Sequence, residues 1–179
     1  MARSDTRRPV WTRARALSLS LGLAAVGLAG DQITKWLALR HLADGPRPLL
    51  GDWLQLWLTR NSGAAFSMGE DWTYGLSALA VVALVAGLVW AVRRVRRPGW
   101  AVVVGLGLAG VGGNLADRLF RAPGVMRGHV VDFIFVRHFA TFNLADSCLT
   151  IAAGLVIWLT WRGVAPGPER QPVVEATEP

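Results

Sequence analysis

The sequence predicts an all-α integral membrane fold, four transmembrane helices with a small extracytoplasmic β element and loops, and three observations carry that prediction. Of the 179 residues 53% are hydrophobic and only 17% are charged, a balance typical of membrane proteins. The apolar residues gather into four long runs, suited to a hydrocarbon core about 30 Å thick. The basic residues stand in clumps between those runs, where arginine orients a membrane protein by the positive-inside bias. Nine tryptophans against one tyrosine fit the same class, because indole rings favour the membrane interface.

The first run covers about residues 16–39 and is broken by Asp31 and Lys35. Arg7 and Arg8 ahead of it, with small residues at "GLAG", resemble an export signal. The helical pattern nevertheless continues through "DQITKWLAL", so an uncleaved first span is expected. The second run, about 72–92, is uncharged and long enough to span by itself. The third, about 98–116, is glycine-rich, and Gly105, Ala109 and Gly112 recur at helical spacing as a small-residue face for close packing. The fourth, about 144–161, carries Asp146 near its start. Residues 1–162 thus form one membrane domain, and the Pro/Glu-rich tail 163–179 is expected to be disordered.

Between the first two runs, "WLQLWLTRN" from Trp53 to Asn61 is rich in β-favouring residues with partial alternation, so an extended or β element lying on the membrane surface is expected there. The second outer segment, with "RAPG" and "RGHVVDF", reads as a loop. With both termini cytoplasmic, the inner segments hold 11 basic residues and the longer outer loops 7, the expected direction of bias.

A net charge of +7 raises nucleic acid as a partner, but no basic stripe with interleaved aromatics exists, and none is expected to bind. The single cysteine, Cys148, permits no internal disulfide and reads as a small buried hydrophobe. His129 and His138 belong to no HExxH-type ligand set, so no metal and no cofactor are expected. "GVGGN" resembles a phosphate loop only superficially, since no GK[ST] comes after it.

Counting up from the cytoplasmic side at about 1.5 Å per residue, Asp31, Asn114 and Asp146 each lie about 22 Å above the inner ends of their helices. Three helices therefore bring polar groups to one level, in the outer third of the membrane. Asp31 and Lys35 share a helix face, as do Asn114 and Arg118, while Asn143 and Asp146 are three residues apart. Lys35 and Arg118 are long enough to snorkel to water. Asp132 and Asp146 are not, and a carboxylate in apolar surroundings carries a function or a partner.

Two neighbouring carboxylates raise one another's affinity for a proton, so the pair can share one. The ionised member takes a proton from an attacking water, and the protonated member polarises a peptide carbonyl and then protonates the leaving amine. Such a pair needs no metal and no nucleophilic side chain. Asn61 and Asn114 offer amide groups to hold an extended substrate, and Gly63, Gly112 and Gly113 beside them permit close approach.

The blocks "DQITKW" (Asp31 to Trp36), "TRNSGAAFS" (Thr59 to Ser67), "GGNLADRLF" (Gly112 to Phe120), "GHVVDFI" (Gly128 to Ile134) and "FNLADS" (Phe142 to Ser147) together resemble the bacterial lipoprotein signal peptidase family, signal peptidase II. They stand in the family's order across most of the chain. The resemblance implies an aspartic endopeptidase of the bacterial cytoplasmic membrane, with Asp132 and Asp146 as catalytic pair. Its substrates would be prolipoproteins already carrying a diacylglyceryl group, cut just before the lipidated cysteine near the outer face. It further implies that Asn61, Asn114, Arg118, Asn143 and Ala145 line the site, that Asp31 and Lys35 support it, and that the Trp53–Asn61 stretch is the family's β-cradle. Membrane lipid is then a partner, and a monomer is expected.

Two loops depart from the pattern: "LFRAPGVMR" after Arg118 is longer than in many members, and the stretch from Asp132 to Asp146 is shorter. Two rival readings make other predictions. A small proton-coupled transporter would use Asp31, Asp132 and Asp146 as relays, yet neither the repeats nor the midplane site typical of transporters is present. A non-catalytic scaffold would pair the aspartates with Lys35 and Arg118, so that replacing an aspartate would damage folding.

Overall fold

The computed structural model describes residues 11–63 and 71–167. The N-terminal "RSDTRR" arm, the "AAFS" end of the second block and tail residues 168–179 lie outside them. In chain order the elements are α1 (Arg13–His41), β1 (Arg47–Leu50), β2 (Leu54–Asn61), α2 (Asp71–Arg94), α3 (Pro98–Phe120), β3 (Val130–Val136), β4 (Ala140–Phe142) and α4 (Leu144–Trp161). All four helices are long and apolar enough to cross a membrane.

Local chemistry sets the helix ends. Thr12 caps α1, its hydroxyl oxygen accepting from Arg15 N–H at 3.3 Å. Pro98 opens α3, where its missing N–H is harmless, and Arg97 before it is extended. Arg40 in the last turn of α1 and Arg93 and Arg94 in that of α2 place positive side chains at the negative ends of the helix dipoles. These polar turns carry the helices beyond the apolar runs that mark them in the sequence.

α3 is the central helix, packed against the other three, with half of its most apolar stretch buried in protein. Its small residues allow this. A Cβ on Gly105 would meet Ser20 O of α1 at 2.9 Å, and one on Gly110 would meet Ala145 O of α4 at 2.6 Å. Of the small-residue face expected from spacing, Gly105 and Ala109 lie against α1, while a Cβ on Gly112 would meet only Leu84 and Leu28 side chains at 3.7 and 3.9 Å. Gly110 lies against α4, and Gly113 meets both α1 and α4. Outward faces present large apolar side chains such as Val26, Leu79, Val82 and Ile157, as a lipid-facing surface requires.

At the end of the bundle holding the α2–α3 turn, Val95, Trp100, Ala101 and Leu159 form a buried core, and Trp90 meets Trp100 edge to face at 5.5 Å. The first tail residues join this core. Trp100 Nε1 donates to Val164 O at 2.7 Å and Arg96 N–H to Pro166 O at 2.9 Å. Residues 163–167 thus begin the tail against this core.

At the opposite end lies one antiparallel sheet in the order β1-β2-β3-β4. The strand expected at Trp53–Asn61 is β2. The second outer segment, read as a loop, supplies β3 and β4, which is a correction. Val130–Phe133 is buried at every position, so no alternation marks it as a strand. One sheet face packs Phe133, Leu56 and Leu58 against Ala38 and Leu42 at the end of α1.

Candidate active site

Asp132 stands on β3, and Asp146 lies in the first turn of α4. Asn143 and Asp146 are not a pair inside a helix, as their spacing suggests, but a reciprocal capping box. Asn143 Oδ1 accepts from Asp146 N–H at 3.0 Å, and Asp146 Oδ2 accepts from Asn143 N–H at 3.1 Å. The same Asn143 then donates through Nδ2 to Asp132 Oδ1 at 2.6 Å. One asparagine thus bridges the two carboxylates.

Two further asparagines complete the arrangement. Asn61 Nδ2 donates to Asp132 Oδ2 at 3.1 Å, and Asn114 Nδ2 donates to Asp146 Oδ1 at 2.8 Å. In each case another donor fixes the amide's orientation. Gly63 N–H occupies Asn61 Oδ1 at 2.8 Å, and Lys35 Nζ occupies Asn114 Oδ1 at 3.1 Å, so the NH₂ groups must face the carboxylates. Gly63 holds a positive φ of 89°, and a Cβ there would collide with Leu76 Cδ1. The β2–β3 register pairs Thr59 with Asp132, and Thr59 Oγ1 donates to Asp132 O at 3.3 Å.

Behind the pair lies an ion cluster. Lys35 Nζ contacts Asp31 Oδ2 at 2.8 Å and Asp117 Oδ2 at 2.9 Å, with all three side chains fully buried. Lys35 therefore does not snorkel. Arg121 Nε adds a contact to Asp117 Oδ1 at 2.6 Å, and Gln32 Nε2 donates to both acids. Two acids and two bases cancel, which is what permits their burial. The cluster also holds backbone: Asp31 Oδ1 accepts from Ala145 N–H at 2.9 Å, and Asp117 Oδ2 accepts from Val131 N–H at 3.0 Å. These are the neighbours of Asp146 and Asp132.

Every expected site residue with a described position is thus at one locus, though Asp31, Lys35 and Ala145 act from behind it. Gly112 meets only apolar side chains, whereas a Cβ on Gly113 would press on Asp31 Oδ2 at 2.5 Å. Arg118 lies within electrostatic reach of Asp132, Asp117 and Asp146, and its Nη1 is buried with no hydrogen-bond partner among the described residues. The pairing that a scaffold needs is made for Asp31, which Lys35 takes together with Asp117, but Lys35 makes no ion pair with Asp132 or Asp146 among the described residues. The sequence assigned no role to Asp117, Gln32 or Arg121. The signal that finds Asp117 is a third carboxylate in the span region, three residues past Asn114 and able to neutralise Lys35.

Burial raises Asp132 to about 6, and the nearby Asp146 charge adds to the rise, while the Asn61 and Asn143 amides work against it. A cavity of about 430 Å³ opens beside Asp146, walled by Phe139, Phe142, Thr150 and Ile151. Among the described residues, no group of three or more His, Cys, Asp or Glu has the arrangement of a metal site.

Residues 23–162 match the family model described as signal peptidase (SPase) II. The chain belongs to the signal peptidase II family. A lipoprotein signal peptidase of Mycobacterium avium (strain 104) is 47% identical over 147 residues, covering 82% of this chain and 80% of that one. One from Rhodococcus jostii (strain RHA1) is 47% identical over 152 residues, covering 84% and 76%. A bacterial membrane enzyme solved by the in meso method superimposes with a TM-score of 0.72 at 26% identity, covering 80% of this chain and 93% of that one. Membership makes the chain a membrane protease of the aspartic type and sets aside the transporter and scaffold readings.

Proposed function

We propose that Asp132 and Asp146 are the catalytic pair of this signal peptidase, and that it cleaves prolipoproteins immediately before a cysteine carrying a diacylglyceryl group. The observation that carries this reading is the bridge through Asn143, whose side-chain and backbone amides hold the two carboxylates together. Carboxylates so held remain free to exchange a proton.

In the reaction the ionised carboxylate accepts a proton from water as the water oxygen attacks the scissile carbonyl carbon. The protonated carboxylate donates to the carbonyl oxygen, giving a neutral tetrahedral diol. As that diol collapses, one of its hydroxyls returns a proton to the pair, the nitrogen of the lipidated cysteine takes a proton from the pair, and the C–N bond breaks. One shared proton is restored at the end. The Nη1 of Arg118, without a hydrogen-bond partner among the described residues, is suited to hold a backbone carbonyl of the substrate, and the apolar groove beside Asp146 suits the hydrophobic segment next to the scissile bond.

The same reading assigns the chain to the bacterial cytoplasmic membrane with both termini inside. The excess of arginine at the end holding the α2–α3 turn supports this, and it puts the pair near the outer face. There the acyl chains of a substrate stay in the bilayer, since withdrawing each CH₂ costs roughly 0.8 kcal/mol. All the groups invoked come from one chain, so a monomer suffices.

The test is cleavage of a diacylglyceryl-modified precursor by detergent-purified protein, beside Asp132→Asn and Asp146→Asn. Wild type cuts and both variants are silent while melting as wild type does. A folded variant that still cuts removes its aspartate from the pair.

A further inference from the structure

The long loop between α3 and β3 makes no hydrogen bond to the carboxylates of Asp132 and Asp146 among the described residues. It folds back on the end of α3, with Gly128 N–H donating to Arg118 O and His129 N–H to Ala122 O, both at 3.0 Å. Between this loop, the outer end of α1 and the sheet lies a cavity of about 490 Å³. Arg60 and Val131, which line it, are paired across β2 and β3 and alternate with Asn61 and Asp132. Alternation therefore puts this cavity on the sheet face opposite the candidate pair.

The lining is of two kinds. Leu39, Pro123 and Val131 give apolar walls, and Arg60, Arg121 and His129 give the polar groups, with no acid among them. Arg121 is steered by its contact to Asp117, which leaves part of its guanidinium exposed. Arg60 is exposed, and its guanidinium makes no hydrogen bond or ion pair among the described residues. Its charge is unmatched, because Asp117 already offsets Arg121. Depth adds a further constraint. Leu39 is two residues short of the end of α1 and Arg121 is one past the end of α3, so the cavity opens where spans leave the hydrocarbon.

We infer that this cavity binds the headgroup of an anionic bilayer phospholipid, with its phosphodiester on Arg60, Arg121 and His129 and its glycerol and first methylenes against Leu39 and Pro123. A guanidinium fork matches phosphate oxygens in geometry and charge, and the apolar walls match the glycerol and acyl carbons of a lipid. The bound lipid ties the sheet to the membrane surface from behind, at the depth where the opposite face holds the carboxylates. The inference rests on the helices being spans and is independent of which residues catalyse.

Native mass spectrometry of the detergent-purified protein tests it, titrating phosphatidylglycerol or phosphatidylcholine and repeating each with inorganic phosphate present. Wild type retains one phosphatidylglycerol in preference to phosphatidylcholine, and inorganic phosphate does not displace it. Arg60→Gln weakens that retention by about fivefold. Ala122→Asp, which brings an acid to the rim of the cavity, abolishes it. Equal retention of the two lipids, unchanged retention in both variants, or complete displacement by inorganic phosphate overturns the inference.

Discussion

Two carboxylate clusters lie side by side in this molecule, joined through Lys35 and Asn114, and they are built on opposite rules. Asp31 and Asp117 are held by cations, Lys35 at 2.8 and 2.9 Å and Arg121 at 2.6 Å. Asp132 and Asp146 are held by amides, three from asparagine side chains and one from a backbone N–H. The residue type is the same and the depth is similar. A cation makes a buried carboxylate a structural counter-ion, whereas an amide stabilises it without neutralising it and leaves a proton able to come and go. The first cluster positions the second, since Asp31 and Asp117 hold the backbone N–H groups of Ala145 and Val131.

The sharpest way to break this comparison is to exchange the consequences of mutation. Asp132→Asn and Asp146→Asn each lose cleavage by at least about 10³-fold while melting within a few degrees of wild type. Lys35→Met does the reverse. It leaves Asp31 and Asp117 buried without their shared cation and costs about 3–5 kcal/mol, read as a large fall in melting temperature and in folded yield. Were Lys35→Met to melt normally, the ion cluster would not be a support for the pair.

Intermediate effects come from the packing that holds the clusters together. Gly113→Ala drives a methyl towards Asp31 Oδ2 and Ala145 Cβ and is expected to cost about 1–3 kcal/mol in a denaturation or melting series. The smallest effect belongs to the far end of the molecule. Thr12→Ala removes the α1 cap, costs about 1 kcal/mol and leaves kcat and KM unchanged.

The spans were legible because bilayer thickness imposes a length and a composition that few other structures share. β2 was legible because it is only partly buried and retains some alternation. β3 was not: four of its seven residues, Asp132 among them, are buried in succession, and a strand buried on both faces has no alternation to read. The common depth of Asp31, Asn114 and Asp146 could be counted along helices, and the structure joins all three through hydrogen bonds by way of Lys35 and Ala145. Asp117 was hidden for a different reason. Its role depends on Lys35 reaching across from another helix, and no spacing within α3 records that. The docking of residues 163–167 depends likewise on the Trp100 indole finding a carbonyl more than sixty residues away.

The central claim, that amide-held carboxylates share a labile proton, is tested most directly by the pH dependence of kcat/KM. Burial puts Asp132 at about 6, so the free enzyme keeps the shared proton below that pH and loses it above. The profile should fall about tenfold per pH unit on its alkaline side. Asn61 donates to the ionised form, and its removal in Asn61→Ala makes ionisation harder, so the falling limb should move to higher pH as overall activity declines. A flat profile through this range, or a limb that moves to lower pH in Asn61→Ala, would contradict the account.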